Sequence, residues 1–366
     1  MLNHLKIITC ITDSNRASIL PWLFLFVSVT SGCSTIEYYT QSVKGQFEII
    51  QKSVPLDQLL VKRNLPEKIR TQLADVREIR NFATSDLGLP DNNSYRRYAD
   101  LGREYVVWNV FASPELAMEN REWCYLIIGC LGYRGYFAKN DAIKLSTELE
   151  DQGYDVFVGG VSAYSTLGWF ADPVLNTMLH WDTTYLAKVI FHELAHQKVY
   201  IKNDTDFNEA FADTVALTGV ERWLKKYGSP QSIAEFNQKQ AREDIFVDLV
   251  LRYRKRLDVL YHSSLDDKIK LQRKNVILQE MVNEYQKVRS SWGNDTTYDT
   301  WFAMGINNAK LMAVVTYRQL VPAFKKFLQA TGNNLDLFYK LIGGMGNCDK
   351  NMRRQILSSV NTHFSC

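Results

Sequence analysis

The chain lacks several features that would assign it to a broad class at once. Its 43 lysines and arginines nearly balance its 40 aspartates and glutamates, giving a formal charge of +3. So small an excess argues against nucleic acid or an anionic surface as a partner. No segment is repetitive or of low complexity, and 46% of the 366 residues are hydrophobic. The chain can therefore bury a large core, as one sizeable domain or as two that are tightly joined.

Cysteine and histidine are also scarce, with six of each. No two cysteines form a C-x-x-C pair, which argues against a zinc site built from cysteine. Beyond Cys10 and Cys33 an even number remains, and in an oxidising compartment this favours two disulfide bridges. The pairs suggested by neighbourhood along the chain are Cys124–Cys130 and Cys348–Cys366. The alternative, which stays open, is four buried free thiols.

A long apolar run is missing as well. The run at residues 19–29 has about a dozen residues, which is too short for a comfortable transmembrane helix. Lys6 and Arg16 precede it, and small residues lead from it to Cys33, a pattern typical of a lipoprotein signal peptide. We predict a signal peptide over residues 1–32, cleavage before Cys33 and lipid attachment to its sulfur. A plain signal peptide or an uncleaved anchor is the alternative.

This N-terminal prediction implies a place in the cell. Acyl chains on Cys33 would hold the protein on a membrane face. Ser34 lacks the acidic side chain that, at this position, often marks retention at the inner membrane of Gram-negative bacteria. We therefore expect a protein of the bacterial cell envelope, anchored by lipid in the outer membrane and facing the periplasm. Its expected partners therefore include that membrane and exclude nucleic acid.

An H-E-x-x-H motif is formed by His192, Glu193 and His196. Positions i and i+4 of an α-helix lie nearly above one another, so both imidazoles can bind one ion. Glu193, next to His192, can reach a metal-bound water without ligating the metal. A zinc hydrolase needs this combination of neutral nitrogen ligands and a carboxylate base.

The third ligand decides what kind of metal site this is. Glu209 lies in a second predicted helix and would complete a His2Glu site with an open fourth position, the catalytic pattern. Asp213 lies one turn further on the same face and can accept the second N–H of a ligating histidine. The extended motif H-E-x-x-H-x-x-G-x-x-H is excluded, because Val199 and Lys202 stand where it needs Gly and His. The inverted H-x-x-E-H motif is absent as well.

At these residues the chain resembles the gluzincin zinc peptidases. H-E-L-A-H-Q followed by N-E-A-F-A-D is similar to the H-E-x-x-H and N-E-G-F-A blocks of zinc aminopeptidases and to the N-E-x-x-x-D block of thermolysin-like enzymes. The resemblance implies one zinc ion bound by His192, His196 and Glu209, with Glu193 as the general base and Asp213 and Asn208 as partners of the ligating histidines. Only 12 residues separate the second histidine from the ligating glutamate, fewer than these enzymes usually have, so the connecting loop must be tight.

From about residue 30 to its end, the chain is also similar to a bacterial family of predicted lipoprotein aminopeptidases. The likeness is carried by Y-Y-x-Q at 38–41, Y-R-G-Y-F at 133–137 and Y-S-T-L-G at 164–168. It implies a metallopeptidase of the aminopeptidase type, with a peptide as its substrate. An endopeptidase is the alternative within the enzyme class. A non-catalytic envelope lipoprotein with a structural zinc is the alternative outside it.

Residue patterns divide the chain into helical and strand-rich parts. Composition predicts strands over 104–111, 123–131 and 154–162. Ser113-Pro114-Glu115 is typical of a helix start. Helices are predicted over 36–53, 66–83, 140–152, 232–261, 265–290, 307–328 and 335–341.

The expected fold is α+β and zincin-like, with a small, mainly antiparallel sheet over an active-site helix in a larger helical body. One zinc metallopeptidase domain is expected over residues 33–366, and a helical hairpin is inserted into it at about 231–290. The sequence does not identify the side chain that stabilises the oxyanion. Tyr298 and Tyr317 are considered for this role only because they lie downstream of the motif.

Overall fold

The computed structural model describes residues 37–125, 129–293 and 295–366, with the side chains of residues 315–318 outside that description. The chain divides into two units, Met1–Gly45 and Gln46–Cys366. In the first, residues 37–45 are helical. The predicted signal peptide (1–32) and the predicted lipidation site Cys33 lie outside the described residues. No helix in the described ranges is both long enough and apolar enough to span a bilayer.

The second unit is mainly helical and opens with helical residues 46–52, here α1. The helices that follow are α2 Leu56–Leu60, α3 Glu67–Ser85, α4 Lys139–Glu150, α5 Thr183–Lys198, α6 Thr205–Tyr227, α7 Pro230–Tyr261, α8 Asp267–Ser291, α9 Asp299–Ala303, α10 Asn308–Arg318, α11 Val321–Ala330, α12 Leu335–Gly344 and α13 Lys350–Ser359.

Short strands form three small sheets among the described residues. The strands are β1 Val54–Pro55, β2 Arg97–Ala99, β3 Val107–Pro114, β4 Trp123–Tyr125, β5 Gly129–Leu131, β6 Arg134–Tyr136, β7 Tyr154–Val161 and β8 Val174–Leu175. The sheet orders are β1-β2-β8, β6-β3-β7 and β4-β5, and only β2 and β8 pair in parallel. The predicted α+β class with mainly antiparallel sheets is confirmed.

Helices α5 and α6 pack against each other in the main hydrophobic core, together with α3, α11 and α12. Gly219 of α6 permits this close approach. A β-carbon at that position would lie 2.7 Å from side-chain carbons of both Leu87 and Phe191, the latter on α5. Such a distance is far below van der Waals contact, so a larger residue would push the two helices apart.

The long helices α7 and α8 form a hairpin and carry a second hydrophobic cluster with α9 and α10. They are antiparallel, because Arg252 bonds to Glu284 at 2.8 Å while Arg256, one turn later, bonds to Glu280, one turn earlier. Ser229 begins α7 with a capping box to Ser232. The helix predicted over 232–261 thus begins two residues earlier, at Pro230.

Two local predictions are wrong. Residues 113–115 do not begin a helix, because β3 runs to Pro114 and a turn follows. Residues 123–131 are not one strand, because β4 and β5 pair with each other as an antiparallel hairpin.

Both suggested disulfides are confirmed. Cys124–Cys130 joins β4 to β5, and Cys348–Cys366 joins the segment between α12 and α13 to residue 366. The alternative of four free thiols is therefore wrong.

Candidate metal centre

Helix α5 brings the motif residues together on one side of its axis. Asp182 caps the helix by accepting a hydrogen bond from the backbone N–H of Tyr185 at 2.8 Å. Leu186, Ile190 and Leu194 are each at most 1% exposed, so the apolar face of α5 is buried in the core. The two histidines lie on a different face, one turn apart, with their rings 4.7 Å from centroid to centroid.

Helix α6 delivers the third candidate ligand. Phe207 and Phe211 are fully buried and contact Phe324 of α11, which fixes the first turns of α6. The connection before α6 is held by Asp204, whose buried carboxylate accepts hydrogen bonds from Arg353 at 2.8 Å and Arg354 at 2.5 Å. Glu209 therefore faces α5 from a backbone that is anchored on both sides.

Three ligand atoms converge between the two helices. The Nε2 atoms of His192 and His196 lie 3.1 Å apart. Oε2 of Glu209 lies 3.2 Å from the first nitrogen and 3.5 Å from the second. A tetrahedral zinc ion with nitrogen and oxygen ligands at about 2.0–2.1 Å separates its ligand atoms by about 3.3–3.4 Å. The donor set and its spacing fit such an ion, so this group could bind a metal.

The predicted partners of the histidines have different surroundings. Oδ1 of Asp213 lies 3.1 Å from Nδ1 of His192, the ring nitrogen that points away from the ligand atoms. Asn208 contacts the backbone of Ile201 instead, donating to its carbonyl at 2.7 Å and accepting from its N–H at 2.8 Å. Its amide thus closes the α5–α6 loop. Nδ1 of His196 is buried and has no hydrogen-bond partner among the described residues.

The electrostatics of the group favour a cation. Burial lowers the pKa of His192, but the carboxylates of Asp213 and Glu209 outweigh this and raise it to about 10. Burial likewise raises the pKa of Glu209, but His196 and His192 outweigh this and lower it to about 2. A positive charge next to the ionised carboxylates is therefore stabilised here, and these carboxylates would stabilise a bound metal ion in the same way.

The candidate base Glu193 is partly buried and follows His192 on α5. Its charge acts on two neighbours. Burial, joined by the nearby Glu193 carboxylate, raises the pKa of Asp172 to about 6 despite hydrogen bonds from Thr166. The same two causes raise the pKa of the fully buried Tyr95 well above its usual value. The charge of Glu193 therefore acts on residues of two loops, one before β2 and one before β8.

Sequence reasoning missed Tyr200. Its ring lies 6.3 Å from that of His196, and burial together with the charge of Glu209 raises the pKa of its hydroxyl. The feature of the sequence that could have indicated Tyr200 is the short loop between the second histidine and the third ligand, because a short loop keeps its residues near the site. Tyr298, considered instead, stacks on Phe246 at 4.0 Å in the second hydrophobic cluster. The side chain of Tyr317 lies outside the described part of the chain.

Comparison with protein families decides the broad class. A family model described as "Putative aminopeptidase" matches residues 37–357. The chain belongs to this family. Membership supports a peptidase, a hydrolase that acts on peptide substrates, and it agrees with the aminopeptidase resemblance carried by the sequence motifs. Comparison with curated proteins and with solved structures finds no match.

Proposed function

We propose that this member of the aminopeptidase family is a zinc-dependent aminopeptidase with a zincin-like catalytic core. The observation that carries the proposal is the convergence of three ligand atoms from His192, His196 and Glu209 within 3.5 Å of one another. Two neutral imidazoles and one carboxylate are the ligand set of catalytic zinc, which keeps one position for water or substrate. Structural zinc sites are instead closed by four protein ligands, mostly cysteines.

The chain's own residues have distinct roles in the proposed hydrolysis. His192, His196 and Glu209 would hold a zinc ion, which would supply Lewis acidity and lower the pKa of water at the open position to about 7. The Glu193 carboxylate accepts the proton of the attacking water on one of its oxygens and donates it to the leaving amine. Asp213 accepts a hydrogen bond from Nδ1 of His192, which leaves the lone pair of Nε2 free to bind a metal.

We assign the stabilisation of the oxyanion to the hydroxyl of Tyr200. Its ring packs edge-on against that of His196, and its loop is held by the two hydrogen bonds between Asn208 and Ile201. A phenol in this place is a fixed donor, which costs no reorganisation as negative charge develops.

The competing proposal is a non-catalytic envelope protein that binds a structural zinc. Within the enzyme class, the alternative is an endopeptidase. The carboxylate of Glu193 favours an enzyme, because a structural ion has no use for a base beside it. In the deciding experiment, the zinc-loaded protein is incubated with peptides that have a free amino terminus and, separately, with the same peptides after N-acetylation. Cleavage of free-amine peptides alone supports the aminopeptidase. Cleavage of both sets would indicate an endopeptidase, and cleavage of neither would contradict the proposal.

We also propose that the protein is a lipoprotein of the bacterial cell envelope. Cys33 follows an apolar run and a short stretch of small residues, which supports acylation of its sulfur. Two disulfides in the described chain agree with an oxidising compartment. Ser34, the residue after the cysteine, favours the outer membrane, with the metal site facing the periplasm.

A further inference from the structure

Residues 165–172, here the aromatic loop, expose two large apolar side chains close to the candidate site. Trp169 is 68% exposed and Phe170 is 50% exposed. Removing apolar surface from water is favourable. Aromatic rings left in water on an ordered loop are therefore available to bind an apolar group.

The aromatic loop lies against the face of α5 that carries the candidate base. Glu193 and Gln197 are one helical turn apart and share that face. A β-carbon built on Gly168 would lie 3.3 Å from Cδ and Oε1 of Gln197. Gln197 is itself fixed, because Asn92 donates to its Oε1 at 2.8 Å. At the other end of the loop, the charge of Glu193 acts on Asp172.

Hydrogen bonds hold the aromatic loop in one shape. The carboxylate of Asp172, 1% exposed, accepts from the backbone N–H of Thr166 at 2.8 Å, from its hydroxyl at 2.7 Å and from the hydroxyl of Ser165 at 3.3 Å. The Thr166 hydroxyl also accepts from the backbone N–H of Phe170 at 3.0 Å. The two rings are thus presented on a loop whose ends are tied together.

The backbone at the tip of the loop is strained. Leu167 has φ of 56° and Gly168 has φ of 83°, so two successive residues adopt the left-handed region. A leucine rarely adopts this conformation, because its β-carbon is then crowded against the backbone. Strain of this kind persists where the surrounding contacts impose it, and it concentrates at ligand-binding sites. The turn places Trp169 and Phe170 directly after the residue that packs on Gln197.

We propose that Trp169 and Phe170 bind a bulky apolar side chain of the peptide substrate and so determine specificity. This inference rests on the proposed peptidase function and deepens it by naming the substrate class. A peptide held near Glu193 would lie beside the aromatic loop. Peptides with Phe or Leu next to the scissile bond would then be preferred over peptides with Ala.

The test compares the dipeptides Phe-Ala, Ala-Phe and Ala-Ala on wild type and on the double variant Trp169→Ala/Phe170→Ala. We expect the variant to lose the preference for a Phe peptide over Ala-Ala by about tenfold in kcat/KM, mainly through KM, while turnover of Ala-Ala changes little. Thr166→Val, which keeps both rings but removes the hydroxyl contacts, should lose part of the preference. Phe47→Ala removes a ring that is 63% exposed elsewhere and should have no effect.

Binding separates this inference from the proposed function. Calorimetry with Glu193→Gln protein and with the same protein carrying the two loop substitutions measures peptide affinity without turnover. Weaker binding of Phe peptides by the loop variant supports the inference, even if wild type hydrolyses nothing and the proposed function fails. Unchanged relative affinity for Phe-Ala, Ala-Phe and Ala-Ala would overturn it. A second result would also overturn it. If the loop variant kept its peptide affinity but sedimented more weakly with phosphatidylethanolamine–phosphatidylglycerol vesicles, the two rings would bind a lipid surface instead.

Discussion

Asp213 lies one helical turn after Glu209 and places its Oδ1 atom 3.1 Å from Nδ1 of His192. This contact fixes which nitrogen of the imidazole faces the other two candidate ligands. A carboxylate behind a ligating histidine also raises its basicity as a ligand.

Asp213→Asn should therefore lower metal affinity by about 10- to 100-fold without unfolding the protein. Competition with a chromophoric chelator measures this affinity. Asp206→Asn is the matched control, because it removes an aspartate from the same helix. The charges that act on Asp206 are those of Lys350, Arg354, Asp204 and Glu122, none of which is a candidate ligand. Equal affinities for Asp213→Asn and wild type would show that the contact does not support a metal ligand.

Removing the metal should abolish hydrolysis and leave the fold largely intact. Helices α5 and α6 are joined by a buried apolar interface that includes Phe191, Ala212 and Val215, and this interface does not depend on an ion. Dialysis against a chelator, followed by peptide assays and far-ultraviolet circular dichroism, tests the expectation. Activity should return with zinc. Loss of helical signal on chelation would instead indicate a structural ion.

Tyr200→Phe should lower kcat by about 100-fold with little change in KM, because it removes a donor to charge that develops only in the transition state. Steady-state kinetics with a fully metal-loaded enzyme provide the measurement. Tyr298→Phe changes the same residue type in the second hydrophobic cluster and should retain wild-type kcat. If the two variants behaved alike, Tyr200 would have no role in the reaction.

Cys33→Ala should yield a protein without acyl chains and with altered membrane attachment. Each buried methylene of an acyl chain contributes about 0.8 kcal/mol to membrane binding, and a short apolar run anchors poorly by comparison. Metabolic labelling with a palmitate analogue should mark wild type and not the variant. Label that is absent from wild type, or equal in both proteins, would remove the lipoprotein proposal and leave the metal site unaffected.

The sequence predicts those elements whose determinants are local. The start of α7 lies within two residues of the predicted position 232, and the ligand set follows from helical spacing within two short motifs. The false helix start at residues 113–115 has a distant cause. Asn308 donates from its side-chain amide to the carbonyl oxygens of Pro114, Glu115 and Ala117 at 3.0–3.2 Å. This α10 residue satisfies backbone groups that a helix would otherwise satisfy.

The same limit applies around the candidate site. The motif that begins at Asn208 predicts a contact between its side chain and a ligating histidine. The tight α5–α6 loop instead brings the backbone of Ile201 to the Asn208 amide. Likewise, the proximity of Asp172 to Glu193 depends on how the aromatic loop folds back onto α5. Contacts between residues that are far apart in the chain are set by tertiary packing, which no local pattern encodes.

The most direct test of the central claim is Glu193→Gln, measured for both metal content and peptide hydrolysis. The variant keeps all three candidate ligands, so we predict one zinc ion per chain by elemental analysis, as in wild type. Without a base to take the proton of the attacking water, hydrolysis should fall by about 100-fold or more. Glu221→Gln, an exposed position on α6, controls for the substitution and should retain full activity. Wild-type turnover by Glu193→Gln would contradict the account.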